Sequence, residues 1–259
     1  MTSRLPTWLI LGLTLTFLIG PFLIIIAAAL SAGNNLAFPP QGLSVKWFIK
    51  VFEVDSFRAS FGVSMFLAIF GTVVALILGV PAAYAMTRYK VPGAEFVKLI
   101  VSSPIIVPGI IVGLALLRYF VIPLGVGIGP ALFLAHTALV LPYAVRVVSA
   151  SMDNLRVDME EAALLLGCTR FGAFRRIVLP NIRSGILAAF ILGFVTSFNQ
   201  VPVSLFLSGP GLRTLPIDMI AYMEINYDPS VAALSALLAF MSIAIIFAAE
   251  RFIGLSRYV

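Results

Sequence analysis

The sequence predicts an all-α membrane protein, and three observations carry that prediction. Of its 259 residues, 61% are hydrophobic and 11% are charged, and the mean hydropathy is +1.10, far outside the range of soluble globular chains. Apolar runs long enough to cross about 30 Å of hydrocarbon, roughly 20 residues each, fall near residues 7–30, 61–86, 99–120, 130–151, 183–207 and 231–253. Lipid offers no partner to a bare backbone N–H or C=O, so each run is predicted to be a helix. No soluble domain, low-complexity linker or internal repeat interrupts them, and residues 1–259 are expected to form one membrane domain.

The first run follows Arg4 and ends near Ala27-Ala28-Ala29, which superficially suits a cleaved signal. Its apolar length exceeds the roughly 7–15 residues of a signal core, so an uncleaved first span is expected. Between the first two runs, Ser44 to Phe52 mixes aromatics with Lys46 and Lys50, the composition of an interfacial helix. The second run carries Gly71, Ala75 and Gly79 on one face, suited to close helix packing within the subunit. In the third, Pro104 and Pro108 remove backbone donors and bend the helix, while Gly109 and Gly113 admit a neighbouring helix. The fourth holds the single His136, for which a hydrogen bond to a neighbouring helix competes with a place on a solute pathway.

Basic residues set the orientation. With the N-terminus inside, eleven of seventeen are cytoplasmic (Arg4, Arg88, Lys90, Lys98, Arg156, Arg170, Arg175, Arg176, Arg183, Arg251, Arg257). Four are outside (Lys46, Lys50, Arg58, Arg213), and Arg118 and Arg146 lie inside predicted spans, from which they are expected to snorkel to the outer and inner interfaces. Both termini and the loop 152–182 are therefore predicted on the cytoplasmic side. The net charge of +6 is spread over loops and interleaved with acids, so it reads as topology and lipid contact and gives no case for nucleic acid.

Several functions are excluded. Cys168 is alone, so neither an intramolecular disulfide nor a thiol cluster is available. One His cannot build a metal site. No catalytic constellation appears, and the absence of any Gly-Lys dipeptide rules out the usual P-loop. An ATP-driven process would need its ATPase on another polypeptide.

The loop carries the most specific signal. Glu161-Ala162-Ala163, Gly167, Ile177, Leu179 and Pro180 form the spacing EAA-x3-G-x9-I-x-LP. Locally, Asp158 followed by Glu161 has the form of a capping box. Met159, Ala162, Ala163 and Leu166 form an apolar stripe on a short helix predicted at the membrane surface. Gly167 is suited to end that helix in the left-handed conformation, and Thr169 to cap a second one ending near Arg175 and Arg176. Pro180 stops the pattern before the fifth run.

This spacing resembles the cytoplasmic loop of binding-protein-dependent ABC importer permeases. The resemblance extends to the third-run pattern Ser103 to Gly113 and the segment Phe198 to Pro210, followed by Thr214-Leu215-Pro216, both similar to the spermidine/putrescine-type group. It implies a type I ABC importer permease fold of six transmembrane helices with a coupling helix, in a bacterial inner membrane. It also implies coupling to an ATPase through Glu160, Glu161, Ala162, Ala163, Leu166, Gly167, Thr169, Arg170, Phe171, Ile177, Leu179 and Pro180. The partners implied are two cytoplasmic ATP-binding subunits that hold ATP and Mg, a second permease with a hetero-pair favoured over a homodimer, and a periplasmic solute-binding protein. No cofactor and no catalysis are expected in this chain.

For the solute path the expected residues are Asn199, Gln200, Ser197, His136 and Tyr143. Asn199 and Gln200 are placed about four residues past the midpoint of the fifth run, roughly 6 Å toward the outside, with inter-helical hydrogen bonding as their alternative role. Members of the polyamine-like group carry acidic residues where this chain has these neutral amides. That departure leaves polyamines, aminophosphonates, opines and similar small polar solutes open. An ATP-independent secondary transporter or channel subunit is the alternative function; it would call for carboxylate relays inside the spans, whereas all eleven Asp and Glu fall in loops or at span ends.

Overall fold

A proline decides where the third helical run breaks. Pro108 lacks an N–H and holds the preceding Val107 extended, at φ −79° and ψ 131°. The third run is therefore split between Ile106 and Gly109 with a bend of 104°. Pro104, inside the helix that ends at Ile106, does not interrupt it. The fifth run breaks without such a proline signal at its end: its helix stops at Phe198 and gives way to turns over residues 199–208. That run is shorter than the sequence predicts, because apolar composition alone cannot distinguish a helix from a buried turn.

The computed structural model describes residues 5–89, 92–209 and 211–253. Arg4, Lys90, Pro210 and Arg257, used above, lie outside them, as does the Lys98 side chain. Among the described residues the chain is helical with no β-strand. We number the helices α1 (Leu5–Ala29), α2 (Lys46–Glu53), α3 (Asp55–Arg88), α4 (Ala94–Ile106), α5 (Gly109–Leu124), α6 (Ile128–Asp153), α7 (Val157–Leu165), α8 (Arg170–Asn181), α9 (Arg183–Phe198), α10 (Leu215–Ile225) and α11 (Ser230–Ile253). Short stretches of wider π turns lie within α3, α5 and α8. Among the described residues, four helices are long and apolar enough to cross a membrane, or up to six if each bent pair, α4 with α5 and α8 with α9, counts as one span. The second span begins at Asp55, six residues before the predicted start.

The chain divides into two compact units, residues 1–59 with 218–249 and residues 60–217 with 250–259. In the first unit α1 is exposed and apolar along most of its length, as a lipid-facing helix would be. The short α2 buries Trp47 and Val51 on one side and exposes Ile49 and Phe52 on the other. Trp47 donates its indole N–H to the Ser31 carbonyl at 2.8 Å, and Lys50 pairs with Asp228 at 2.7 Å.

In the second unit α3, α6 and α9 pack through small residues. A Cβ on Gly79 would lie 2.8 Å from Ala144 Cβ, and one on Gly193 would lie 2.5 Å from Val140 Cγ1. Gly71 faces Thr137. The predicted small-residue face of the second run therefore serves packing within the subunit. Gly109 and Gly113 also permit a close approach, but their neighbours are Pro202 and Val203 of the 199–208 turns and not a helix. One core cluster joins Leu76, Val80, Ala144, Val148, Met152 and Ile182, and a second gathers Leu67, Leu132, Leu139, Val203 and Leu207.

Candidate functional site

The loop between α6 and α9 folds as a helix, a bend and a helix. The expected capping box does not form: Arg156 occupies the N-cap of α7 without a side-chain cap bond. Asp158 is engaged by the Arg156 guanidinium, whose Nε donates to Oδ1 at 3.1 Å. That bond, ahead of any other influence, holds the Asp158 carboxyl below its usual range. Asp158 and Glu160 still place negative charge in the first turn, where the helix dipole favours it.

The end of α7 forms as its residues dictate. Gly167 takes φ +86°. Cys168 N–H donates to the Ala163 carbonyl and Gly167 N–H to the Leu164 carbonyl, both at 3.0 Å, the paired bonds of a Schellman motif. Thr169 then caps α8, its hydroxyl accepting from Gly172 N–H at 3.1 Å. α8 runs on through a π turn to Asn181, beyond the predicted end near Arg175 and Arg176, and meets α9 at a 68° bend just after Pro180.

The predicted stripe faces the other way. Met159, Ala162 and Leu166 are exposed and Ala163 is half-buried, while Leu165 and Leu166 are each 89% exposed at the bend and Phe171 is 73% exposed on the first turn of α8. Glu161, Thr169, Arg170 and Pro180 are exposed; Ile177 and Leu179 are half-buried. The bend thus presents an exposed apolar patch rimmed by charge.

Glu160 is the exception, turned inward and 7% exposed. The Tyr84 hydroxyl donates to its Oε1, and Arg88 Nε lies 3.4 Å from its Oε2. The Tyr84 ring rests on Phe174 of α8 with centroids 4.8 Å apart. Sequence reading missed Tyr84, which has no motif around it, and took Arg88 only as a topological charge.

The path candidates separate. His136 is buried and bonded on both sides, Nδ1 to Ser197 Oγ at 2.8 Å and Nε2 to Ser204 Oγ at 3.0 Å. It ties α6 to α9 and to the turns beyond, the inter-helical role. Ser204 was not singled out from sequence because the helix was expected to continue through it. Asn199 and Gln200 lie past the end of α9, not inside a span. Asn199 is exposed, with its amide on the Val195 carbonyl of its own helix at 3.0 Å. Gln200 and Tyr143 are half-buried, and Arg118 and Arg146 are exposed. At the broken third span, Pro104, Val107, Leu134 and Ala138 help line a cavity of about 450 Å³.

Residues 71–256 match the family described as binding-protein-dependent transport system inner membrane component. The chain is 31% identical over 237 residues to the putrescine transport system permease protein PotI of Escherichia coli K12, covering 88% of this chain and 84% of that one. It is 30% identical over 211 residues to the spermidine/putrescine transport system permease protein PotC of the same strain, covering 81% and 80%. Among solved structures it resembles a chain of a bacterial alginate ABC transporter in complex with its alginate-bound periplasmic protein. There the TM-score is 0.73 at 15% identity, over 96% of this chain and 95% of that one.

Proposed function

Because the chain belongs to the family of binding-protein-dependent transport system inner membrane components, and is a multi-pass permease subunit of an ABC importer, we propose how its parts divide the work. The loop 152–182 docks on a cytoplasmic ATPase, and the bundle of one permease domain forms part of the solute path. The observation that carries this reading is the outward-facing Leu165, Leu166 and Phe171 beside Glu161-Ala162-Ala163, held by the Gly167 bend. Two ATP-binding subunits supply ATP and Mg chemistry, and this chain supplies none.

A periplasmic binding protein delivers the solute to the outer face, where α2 and the 208–230 segment lie when both termini are cytoplasmic. A second, different permease completes the path, with six spans in this chain if both bent pairs count. PotI is named for putrescine and PotC for spermidine/putrescine, which supports small polyamines as the first solutes to try. The neutral Asn199 and Gln200, in place of carboxylates, keep zwitterionic solutes such as aminophosphonates and opines in the same test.

The test is purification of the complex from native membranes, followed by ATPase and uptake assays with the wild-type chain and with Glu161→Lys plus Gly167→Pro. Co-purification of an ATPase, with assembly or solute-stimulated hydrolysis lost in the double variant, is the expected result. A wild-type chain that runs alone and moves putrescine into liposomes without ATP would overturn the reading.

A further inference from the structure

The docking face of the loop looks outward, but its one buried charge looks inward. Glu160 sits at the meeting of three elements. Tyr84 and Arg88, one turn apart on α3, meet its two carboxylate oxygens, Tyr84 through a hydrogen bond to Oε1 and Arg88 through an ion pair to Oε2 that is not a hydrogen bond. Arg88 Nη2 also donates to the Met152 carbonyl at 3.2 Å and the Leu155 carbonyl at 3.0 Å, where α6 ends. The Tyr84 ring is held edge-on by Tyr89 at 5.7 Å and against Phe174 at 4.8 Å. Met152 and Val178, both fully buried, belong to the same core.

Such a node resists being stretched. A buried carboxylate separated from its cation is left uncompensated, which is far costlier than a lost surface pair, and close-packed neighbours yield little. A displacement of α7 therefore either carries α3 and the end of α6 with it or opens the ion pair. The geometry points to Tyr84 and Arg88 as positioning residues that transmit movement of the docking loop into two membrane helices, with Glu160 as the attachment point. This rests on the reading that loop 152–182 docks on an ATPase.

Stability alone does not require an ionic node here, since apolar side chains of similar volume commonly fill such a site without loss. Transmission does require a connection that is directional and cannot slip. The experiment uses the whole complex in lipid nanodiscs, measuring co-purified ATPase and ATP hydrolysis with and without the purified binding protein. Tyr84→Phe and Arg88→Gln are expected to retain the ATPase and basal hydrolysis while the binding-protein-stimulated increment falls about tenfold or more. Arg88→Lys, which keeps a cation and donors at this position, is expected to retain part of that increment.

An unchanged increment in both Tyr84→Phe and Arg88→Gln overturns the strut while leaving the docking reading intact. A wild-type complex without any ATPase overturns docking itself. If these two variants fail to assemble, Arg88→Lys decides: assembly without stimulation overturns the strut, and assembly with it supports the strut. A wild-type complex that ignores its binding protein overturns the strut too, because no signal then crosses the chain.

Discussion

Gly113→Ala sets two physical effects of opposite sign against each other. Gly113 lies in α5, and replacing a helical glycine by alanine gains about 0.5–1 kcal/mol in backbone entropy. Against that gain, the new Cβ would stand 3.0 Å from both the Cα and the carbonyl oxygen of Val203, and 3.2 Å from the Phe206 ring, where ordinary contact is 3.4–4 Å. Two of those three atoms are backbone. Val203 is fully buried, and the next residue, Ser204, is tied to His136, so the turn has nowhere to retreat. Overpacking of this kind costs about 1–3 kcal/mol, which leaves a net loss near 1 kcal/mol. For a chain of this size that corresponds to an apparent Tm lowered by about 2–4 °C. The assay is thermal challenge in detergent read by gel filtration, with Gly12→Ala as control, because a Cβ there meets nothing within 4 Å. If Gly113→Ala melts at or above the wild type, the turn yields and the reasoning fails.

Three further outcomes follow from the geometry. Gly167→Ala forces a side chain into φ +86° with no steric neighbour to blame, so the whole cost, about 1–2 kcal/mol, is conformational; hydrogen exchange of the α7 amides should quicken, and less so in Gly167→Asn. Leu165→Asp with Phe171→Asp, both exposed, should shift the melting temperature by no more than about 2–4 °C, since each surface change rarely exceeds about 0.5 kcal/mol, while sharply reducing ATPase co-purification. The hydrogen bond to Asp228 raises Lys50 above 10.5. At Asp228, burial works to raise the pKa but is outweighed by bonds from Lys50, Ser230 and Tyr222, leaving it below 3.8. The stabilisation from Asp228 is therefore present above its unfolded pKa and lost as pH falls through the lower folded value. That from Lys50 is present below 10.5 and lost as pH rises through the higher folded value. Thermal stability should lose its dependence on this pair in Asp228→Asn, and a wild-type loss centred between pH 5 and 9 would contradict the assignment.

Membrane class, the helical runs and the bend of the 152–182 loop were legible in the sequence because each depends on local chemistry. Apolar length forces helix in lipid, Gly167 accepts φ +86° where other residues resist, and the Thr169 hydroxyl reaches an amide three residues on. Where the fifth helix stops was not legible. Val201 to Leu207 is mostly apolar and continues the run, and burial of Val203, Ser204 and Leu207 against α5 and α6 accommodates turns there. Nor could the sequence tell which face of α7 points inward. Met159, Ala162 and Leu166 make the better apolar stripe, yet Glu160 is the buried residue, because Tyr84 and Arg88, more than seventy positions earlier, are waiting for its carboxylate. By itself the sequence determined what each segment can form, from side-chain size, charge and backbone freedom. The tertiary structure decided which of those surfaces are spent inside the chain and which remain for partners, because burial and ion pairing depend on neighbours that are close in space and distant in sequence.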